Sequence, residues 1–289
     1  MATPTTESSG LLLVDKPAGI TSHDVVAIVR RALHTRRVGH AGTLDPFATG
    51  LLVVLFGRGT RLIPYVPGEP KVYEATIQFG AETDTDDRTG NVTRTAEPAS
   101  DDAIARAIAL LTGAIDQVPP SYSAKQVDGT RAYAAARRGA PLELEPVRVT
   151  VHEWMLAGRD GDRVTARITC SGGTYIRALA RDLGRLTNSA AHLAELRRTA
   201  SGPFSVRDAV SMADIENGVA RPQRLTAAIP DLPTQSLDGD ALRRVVHGNP
   251  IESRVSGGRA ALLDPEGELV AIAENEAGTL QPKAVFRDA

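Results

Sequence analysis

The chain has 289 residues, is 42% hydrophobic and 24% charged, and carries a formal net charge of −2, values ordinary for a soluble globular protein with room for one large domain or a large and a small one. No apolar run approaches the roughly 20 residues of a membrane helix, and "MATPTTESSG" lacks the basic-then-apolar pattern of a signal peptide. Cys170 is the only cysteine, which excludes an intrachain disulfide and argues against a cysteine zinc site, so a cytoplasmic protein is expected.

Residues 1–9 read as a disordered lead. "GLLLVDKPAG" predicts a short buried strand ending at a Pro/Gly turn. In "TSHDVVAIVRRAL", Thr21 and Asp24 have capping-box spacing, and Val25, Ile28, Val29, Ala32 and Leu33 recur at helical spacing. A basic "HTRR" then leads into "RRVGHAGTLDPFATGLL", a glycine-rich loop, and "LLVVLFG" is a buried strand. "VYEATIQFG" alternates, with Tyr73, Ala75, Ile77 and Phe79 on one face. "ETDTDDRTGN" reads as a polar turn. It is no EF-hand, because a loop beginning at Asp84 would need glycine at Thr89 and glutamate at Thr95. "DDAIARAIALLTG" predicts a helix with Gly113 at its C-terminal cap. "VPPSYSAKQVDGTRAYAAARRGAP" is a proline-bounded excursion, expected to be a mobile flap. "RVTARITC" is an alternating strand that makes Cys170 a core residue. "SGGTYIRALARDLGRL" turns from strand into helix, and "SAAHLAELRR" predicts a second short helix capped by Ser189. After "IPDLPTQS" the texture changes, and a domain boundary is placed near Thr234. The segment that follows holds a helix in "DALRRVVHGNP" and a hairpin in "ALLDPEGELVAIAE". At about 55 residues it is short for an independent fold and is expected to pack on the main body. Strands and helices intermix without a regular βαβ rhythm, which favours an α+β fold over a doubly wound sheet.

Charge distribution says more than net charge. From Val25 to Val66 the basic residues are Arg30, Arg31, Arg36, Arg37, Arg58 and Arg61, and the only acid is Asp45. An Asp-Pro pair is most often a turn initiator. Here Pro46 keeps Asp45 out of helical geometry, and Gly39, Gly42 and Gly50 allow unusual backbone conformations. A carboxylate held among cations on such a loop can serve as nucleophile or base. His40 has no second ligand at metal-binding spacing.

"GHAGTLDPFATGLL" resembles the catalytic motif of the TruB family of tRNA pseudouridine synthases. The segments "GLLLVDKPAGITS", "KVYEATIQFGAETDTDDRTG", "QVPPSYSAKQVDGTRAYAAARRG", "CSGGTYIRALARDLG" and "HLAELRR" follow the same family's order. The resemblance runs from about residue 10 to the C-terminus and is weakest after residue 205. It implies a pseudouridine synthase catalytic domain over 10–233, with a mixed, mostly antiparallel sheet, flanking helices and an RNA-gripping thumb at 117–139. It also implies a small β-rich PUA-like domain over 234–289. The implied activity is isomerisation of uridine 55 in the tRNA T-loop to pseudouridine, with no metal or organic cofactor. Asp45 matches the catalytic aspartate; whether it attacks C1′, adds to the base or helps remove a ribose proton stays open. His40 matches the residue that fills the space of the extruded base, Tyr73 the one that stacks on it, and Arg177 the partner of Asp45. Tyr175 and Leu196 match pocket walls, and Lys16 belongs to a motif supporting the pocket. Arg30, Arg31, Arg36, Arg37, Lys125, Arg131, Arg137 and Arg138 are candidates for RNA backbone contacts. The T-arm of tRNA is the implied partner, with no membrane, no required protein partner and a monomeric state. Two rivals are a silent RNA-binding or RNA-folding protein and a guide-dependent relative within a larger particle. Asp45 and Arg177 argue against the first, and the lack of a basic low-complexity extension argues against the second.

Overall fold

The computed structural model describes residues 8–287 apart from 124, 128 and 141; most of the expected N-terminal lead lies outside the described residues. β1 (Gly10–Lys16) is followed by α1 (Ser22–Ala32), whose N-terminus carries the expected capping box of Thr21 and Asp24. β2 (Val38–Ala41) and β3 (Thr49–Phe56) form an antiparallel pair around the Asp45 loop. β4 (Lys71–Phe79) buries Tyr73, Ala75, Ile77 and Phe79 as its alternation predicts. β5 (Ala81–Thr83) and β6 (Val92–Thr95) make a short ribbon. α2 (Asp101–Leu110), capped by Ser100, leads to β7 (Gly113–Gln117). Its C-terminal cap is Leu111, and Gly113 opens the next strand at φ +97° instead. Within the 117–139 excursion, β8 (Gln126–Val127) and β9 (Thr130–Arg131) form a two-residue ribbon before α3 (Ala132–Arg137). Ala132, Ala135 and Ala136 of α3 are buried.

The long strands β10 (Val147–Asp160) and β11 (Arg163–Cys170) precede α4 (Ile176–Leu186). β12 (Ala191–Ser201), β13 (Phe204–Ser205) and α5 (Met212–Glu216) complete this part of the chain. β14 (Thr234–Ser236), α6 (Gly239–Val246), β15 (Ile251–Glu252), β16 (Arg259–Leu263), β17 (Leu269–Glu276) and β18 (Thr279–Val285) follow.

Among the described residues nine strands form the main sheet, in the order β1-β3-β12-β4-β11-β10-β7, with β2 on β3 and β13 on β12. Only the β3–β12 pairing is parallel, so the sheet is mixed and mostly antiparallel, within an α+β fold. That parallel pair brings Gly50 against Arg198; a Cβ at Gly50 would lie 2.3 Å from the Arg198 carbonyl oxygen, and its φ is +99°. Glycine is required there by close approach and backbone conformation together. The apolar face carrying Tyr73, Ile77, Ile168 and Leu193 packs against Ile104 of α2 and Leu179 and Leu183 of α4. A second five-stranded sheet, β14-β16-β17-β18-β15, packs back on the first: Ala261, Leu269, Ile272 and Ala284 share a core with Leu11, Leu13, Leu51 and Val53. Arg58 and Arg61 reinforce this contact, donating to the carbonyls of Phe286 (3.2 Å) and Val285 (2.6 Å). No helix among the described residues is long and apolar enough to cross a membrane.

Three further expectations need correction. "SAAHLAELRR" is not a helix capped by Ser189; it belongs to β12 in the middle of the main sheet. The register with β4 slips between Leu193 and Glu195, so Ala194 is the extra residue of a β-bulge. The bulge separates buried Leu193 from buried Leu196 by three residues, a spacing that imitates a helix. Ser189 instead donates to the Glu97 carbonyl at 2.6 Å. "ETDTDDRTGN" does turn, but three of its acids are not at the surface, because Glu82, Asp86 and Asp87 are buried. Finally, Gly39 lies in β2 without a positive φ, unlike Gly42 and Gly50.

Candidate active site

Asp45 sits on the loop between β2 and β3, and that loop is held from several sides. Leu44 and Phe47 are buried in the main core. The Ser22 hydroxyl, at the start of α1, accepts from Leu44 N at 3.0 Å and donates to Leu44 O at 3.2 Å. Arg198, fully buried, donates to the carbonyls of Leu51 (2.8 Å), Thr43 (3.2 Å) and Gly42 (3.0 Å). The Lys16 ammonium donates to Pro17 O (2.9 Å), Ile20 O (2.8 Å) and Pro46 O (3.3 Å). These bonds set the backbone on both sides of the carboxylate.

The carboxylate is gripped by Arg177, near the N-terminus of α4. Arg177 Nε donates to Asp45 Oδ2 at 2.9 Å and Nη2 to Asp45 Oδ1 at 3.2 Å. This two-pronged pairing fixes the aim of the carboxylate as a single-point cation could not. The Arg177 side chain is 5% exposed and that of Asp45 34%. The arginine is therefore a buried clamp, and the carboxylate faces outward. Arg177 also donates to Thr85 O and Tyr122 O, both at 3.0 Å, and its Nε lies 3.8 Å from Asp87 Oδ2. Gln117 holds the start of α4 through paired bonds with the backbone of Tyr175 (2.9 and 3.1 Å).

A cavity of about 300 Å³ opens beside the carboxylate, at the small end of ligand sites. It is lined by Asp45, Tyr73, Tyr175, Arg177 and Leu196, so five of the seven expected pocket residues meet there. Burial raises the phenol pKa of both Tyr73 and Tyr175, against the lowering effect of Arg198 on the first and of Ser123 and Arg177 on the second. Lys16 does not line the cavity but lies beneath its loop. His40 does not line it either: it stands in β2, paired with Val54, its ring edge-on to His23 at a centroid distance of 5.9 Å. Its Nδ1 is buried without a hydrogen-bond partner among the described residues. Burial, then the charges of His23 and Arg198, hold its pKa below the ordinary value. Arg30, Arg31, Arg36 and Arg37 are exposed around the end of α1, and Arg131, Arg137 and Arg138 are exposed on the 117–139 excursion, with Lys125 half-buried. A larger cleft of about 670 Å³ touches Leu196 but is lined by Glu74, Thr165, Arg167 and Arg197, and does not include Asp45.

Sequence reasoning missed the layer beneath Arg177. Arg177, Arg181 and Arg185 recur every four residues along α4 and meet the acidic run. Arg181 pairs with Asp86 at 2.9 Å, and Arg185 pairs with Glu82. Burial outweighs the attraction of Arg181 and lifts the Asp86 pKa to about 6. Three arginines at spacing four opposite a carboxylate cluster were a usable signal. For Arg198 and Lys71 no local signal existed, because only strand pairing brings them to the site.

Lys16 offers a direct test of the loop support. Lys16→Met leaves three carbonyl oxygens without this donor and should cost about 2–4 kcal/mol of stability, with turnover falling more than RNA affinity. Burial lowers its pKa from 10.5 to about 8, against the pull of Asp45. Between pH 8 and 10.5 the folded protein thus binds fewer protons here than the unfolded chain, so rising pH stabilises the wild type relative to Lys16→Met. Urea unfolding of both proteins at pH 7 and pH 9.5 checks the loss and its sign; a pH-independent difference would contradict the linkage.

The fold has counterparts among solved structures. The structure superposes with a TM-score of 0.72 on a chain of "Crystal Structure of a Cbf5-Nop10-Gar1 Complex", at 24% identity, covering 96% of this chain and 85% of that one. The match to "Structure of H/ACA RNP bound to a substrate RNA containing 2'-deoxyuridine" has a TM-score of 0.71 at 23% identity, with the same coverage. Residues 30–176 match the TruB family pseudouridylate synthase (N terminal domain), and residues 177–256 match the tRNA pseudouridylate synthase B C-terminal domain. The chain belongs to the TruB family of pseudouridylate synthases, a family of isomerases. It is 46% identical to tRNA pseudouridine synthase B of Thermobifida fusca, over 96% of this chain and 99% of that one. It is 43% identical to tRNA pseudouridine synthase B of Corynebacterium efficiens, over 97% of each.

Proposed function

We propose that this protein converts uridine 55 in the T-loop of tRNA to pseudouridine, drawing the uridine out of its stack into the Asp45 cavity. The observation that carries this reading is the outward-facing Asp45 carboxylate, held in a two-pronged grip by a nearly buried Arg177 at a cavity walled by two tyrosines and a leucine. In the reaction the N1–C1′ bond breaks with its electron pair on uracil, the base rotates, and C5 bonds to C1′. The proton on C5 leaves and N1 gains one, so atoms and electrons balance without an added reactant. A carboxylate beside an electron-poor sugar carbon suits each role left open for Asp45. The flat face of Tyr73 takes the uracil, and Tyr175 and Leu196 close the sides. His40, whose buried Nδ1 has no hydrogen-bond partner among the described residues, fills the place of the extruded base. The exposed arginines of α1 and of the thumb at 117–139, with Lys125, contact phosphates, so affinity falls as salt rises. Residues 234–289 serve as a PUA-like domain beside the catalytic one.

We read the enzyme as a monomer that acts in the cytoplasm without a protein partner. Purified protein is therefore mixed with an unmodified T-arm hairpin, and with one whose target uridine is replaced by cytidine. Pseudouridine should form at position 55 of the first hairpin only. Failure of the purified chain to react, or equal modification elsewhere in the loop, would overturn the assignment.

A further inference from the structure

Lys71 is a cation at the cavity that the proposed chemistry does not use. It opens β4 two residues before Tyr73, so the two side chains share a face, and it lines the same cavity as Asp45. Its Nζ lies 3.6 Å from where a Cβ on Gly42 would stand, beside the guanidinium of Arg198. Among the described residues its ammonium makes no hydrogen bond and no ion pair. Arg198 donates to the backbone carbonyls of Leu51, Thr43 and Gly42, and it also has no carboxylate in an ion pair among the described residues. Two positive charges thus stand side by side, Lys71 lining the cavity and Arg198 buried behind it, with no carboxylate in an ion pair to either among the described residues. Burial and Arg198 both lower the Lys71 pKa, and the opposing pull of Cys170 and Glu69 is weaker. Even half-buried, an ammonium without a partner is costly, and charged acceptors form the strongest complement. Asp45 lines the same cavity but pairs with Arg177 instead, and no ion pair joins it to Lys71 among the described residues.

We propose that Lys71 is a substrate-contacting residue that binds a phosphodiester oxygen flanking the target uridine. This rests on the reading that the cavity receives a nucleotide of RNA. An anionic phosphate oxygen complements Lys71, with Arg198 buried behind it, better than a neutral uracil carbonyl, because it compensates charge as well as accepting a hydrogen bond.

The test is a cycle between protein and RNA. T-arm hairpins carry one neutral methylphosphonate immediately 5′ or 3′ of the target, and kcat/KM is measured for wild type, Lys71→Met and Lys71→Arg. One methylphosphonate should slow wild type by about 10- to 100-fold, the scale of a hydrogen bond to a charged group. Lys71→Met should lose a similar factor on unmodified RNA and little more on the methylphosphonate. Lys71→Arg should retain most of the sensitivity. If Lys71→Met unfolds, Lys71→Gln takes its place in the cycle. An undiminished methylphosphonate effect in the variant, or wild-type turnover by it on unmodified RNA, overturns the assignment. Coupling instead to sulfur replacement of a uracil carbonyl would move the contact to the base and also overturn it. A wild-type protein inactive on unmodified hairpin rejects the substrate reading itself, whereas turnover without coupling rejects only the role of Lys71.

Discussion

Asp45→Asn should reduce pseudouridine formation by about four orders of magnitude, the scale seen when a catalytic carboxylate becomes an amide, while RNA binding survives. The substitution keeps the shape of the side chain. Its remaining carbonyl oxygen can still accept one bond from Arg177, although the amide group then faces the second guanidinium N–H. The fold should tolerate this, because Arg177 retains Thr85 O, Tyr122 O and nearby Asp87. A loss of about 1–3 kcal/mol is expected, the cost of one unsatisfied buried donor. What vanishes is the negative charge, and with it any chemistry at the sugar carbon or base that needs a carboxylate. Release of tritium from C5-labelled uridine measures turnover, and filter retention of labelled T-arm RNA measures binding. Turnover within tenfold of wild type would show that Asp45 is only a turn residue before Pro46.

Arg177 separates position from charge. Arg177→Met should cost about 3–5 kcal/mol, because it strands Asp45 and the buried Asp87 without their cation. It should also depress turnover by about a thousandfold or more, since the carboxylate loses its fixed aim. Arg177→Lys returns the charge but not the fork, and a lysine cannot reach both oxygens of Asp45, Thr85 O and Tyr122 O at once. Most of the stability should return with lysine and little of the activity. Pairing Arg177→Met with Asp87→Asn removes one orphaned charge, so stability should partly recover while activity does not. Chemical unfolding and single-turnover rates on the same variants decide the matter. A lysine variant as active as wild type would reduce Arg177 to a counterion.

The elements whose residues interact locally were legible in the chain. Thr21 and Asp24 are three residues apart and cap α1 with their own side chains, so no distant partner was needed to recognise the helix start. The alternation of β4 placed Tyr73 on the buried face, because pleat geometry alone decides which side a residue takes. The glycine-rich loop around Asp45 was likewise recognisable as unusual, since Pro46, Gly42 and Gly50 restrict or free their own backbone.

What depends on contacts between distant segments could not be read this way. β12 carried a helical spacing because a bulge at Ala194 inserts one residue into a strand, and only the pairing with β4 and β3 reveals it. The acidic run looked solvated until α4 brought Arg181 and Arg185 onto Asp86 and Glu82 across some hundred residues. Strand register set Arg198 behind the Asp45 loop and Lys71 beside it on the cavity, to which neither residue's neighbours in sequence point. The sequence by itself determined the local conformations and the residue types available for chemistry, because those follow from backbone sterics and short-range hydrogen bonds. The tertiary structure decided which charges are buried together and which face the cavity, because desolvation and ion pairing act on whatever the fold brings into contact.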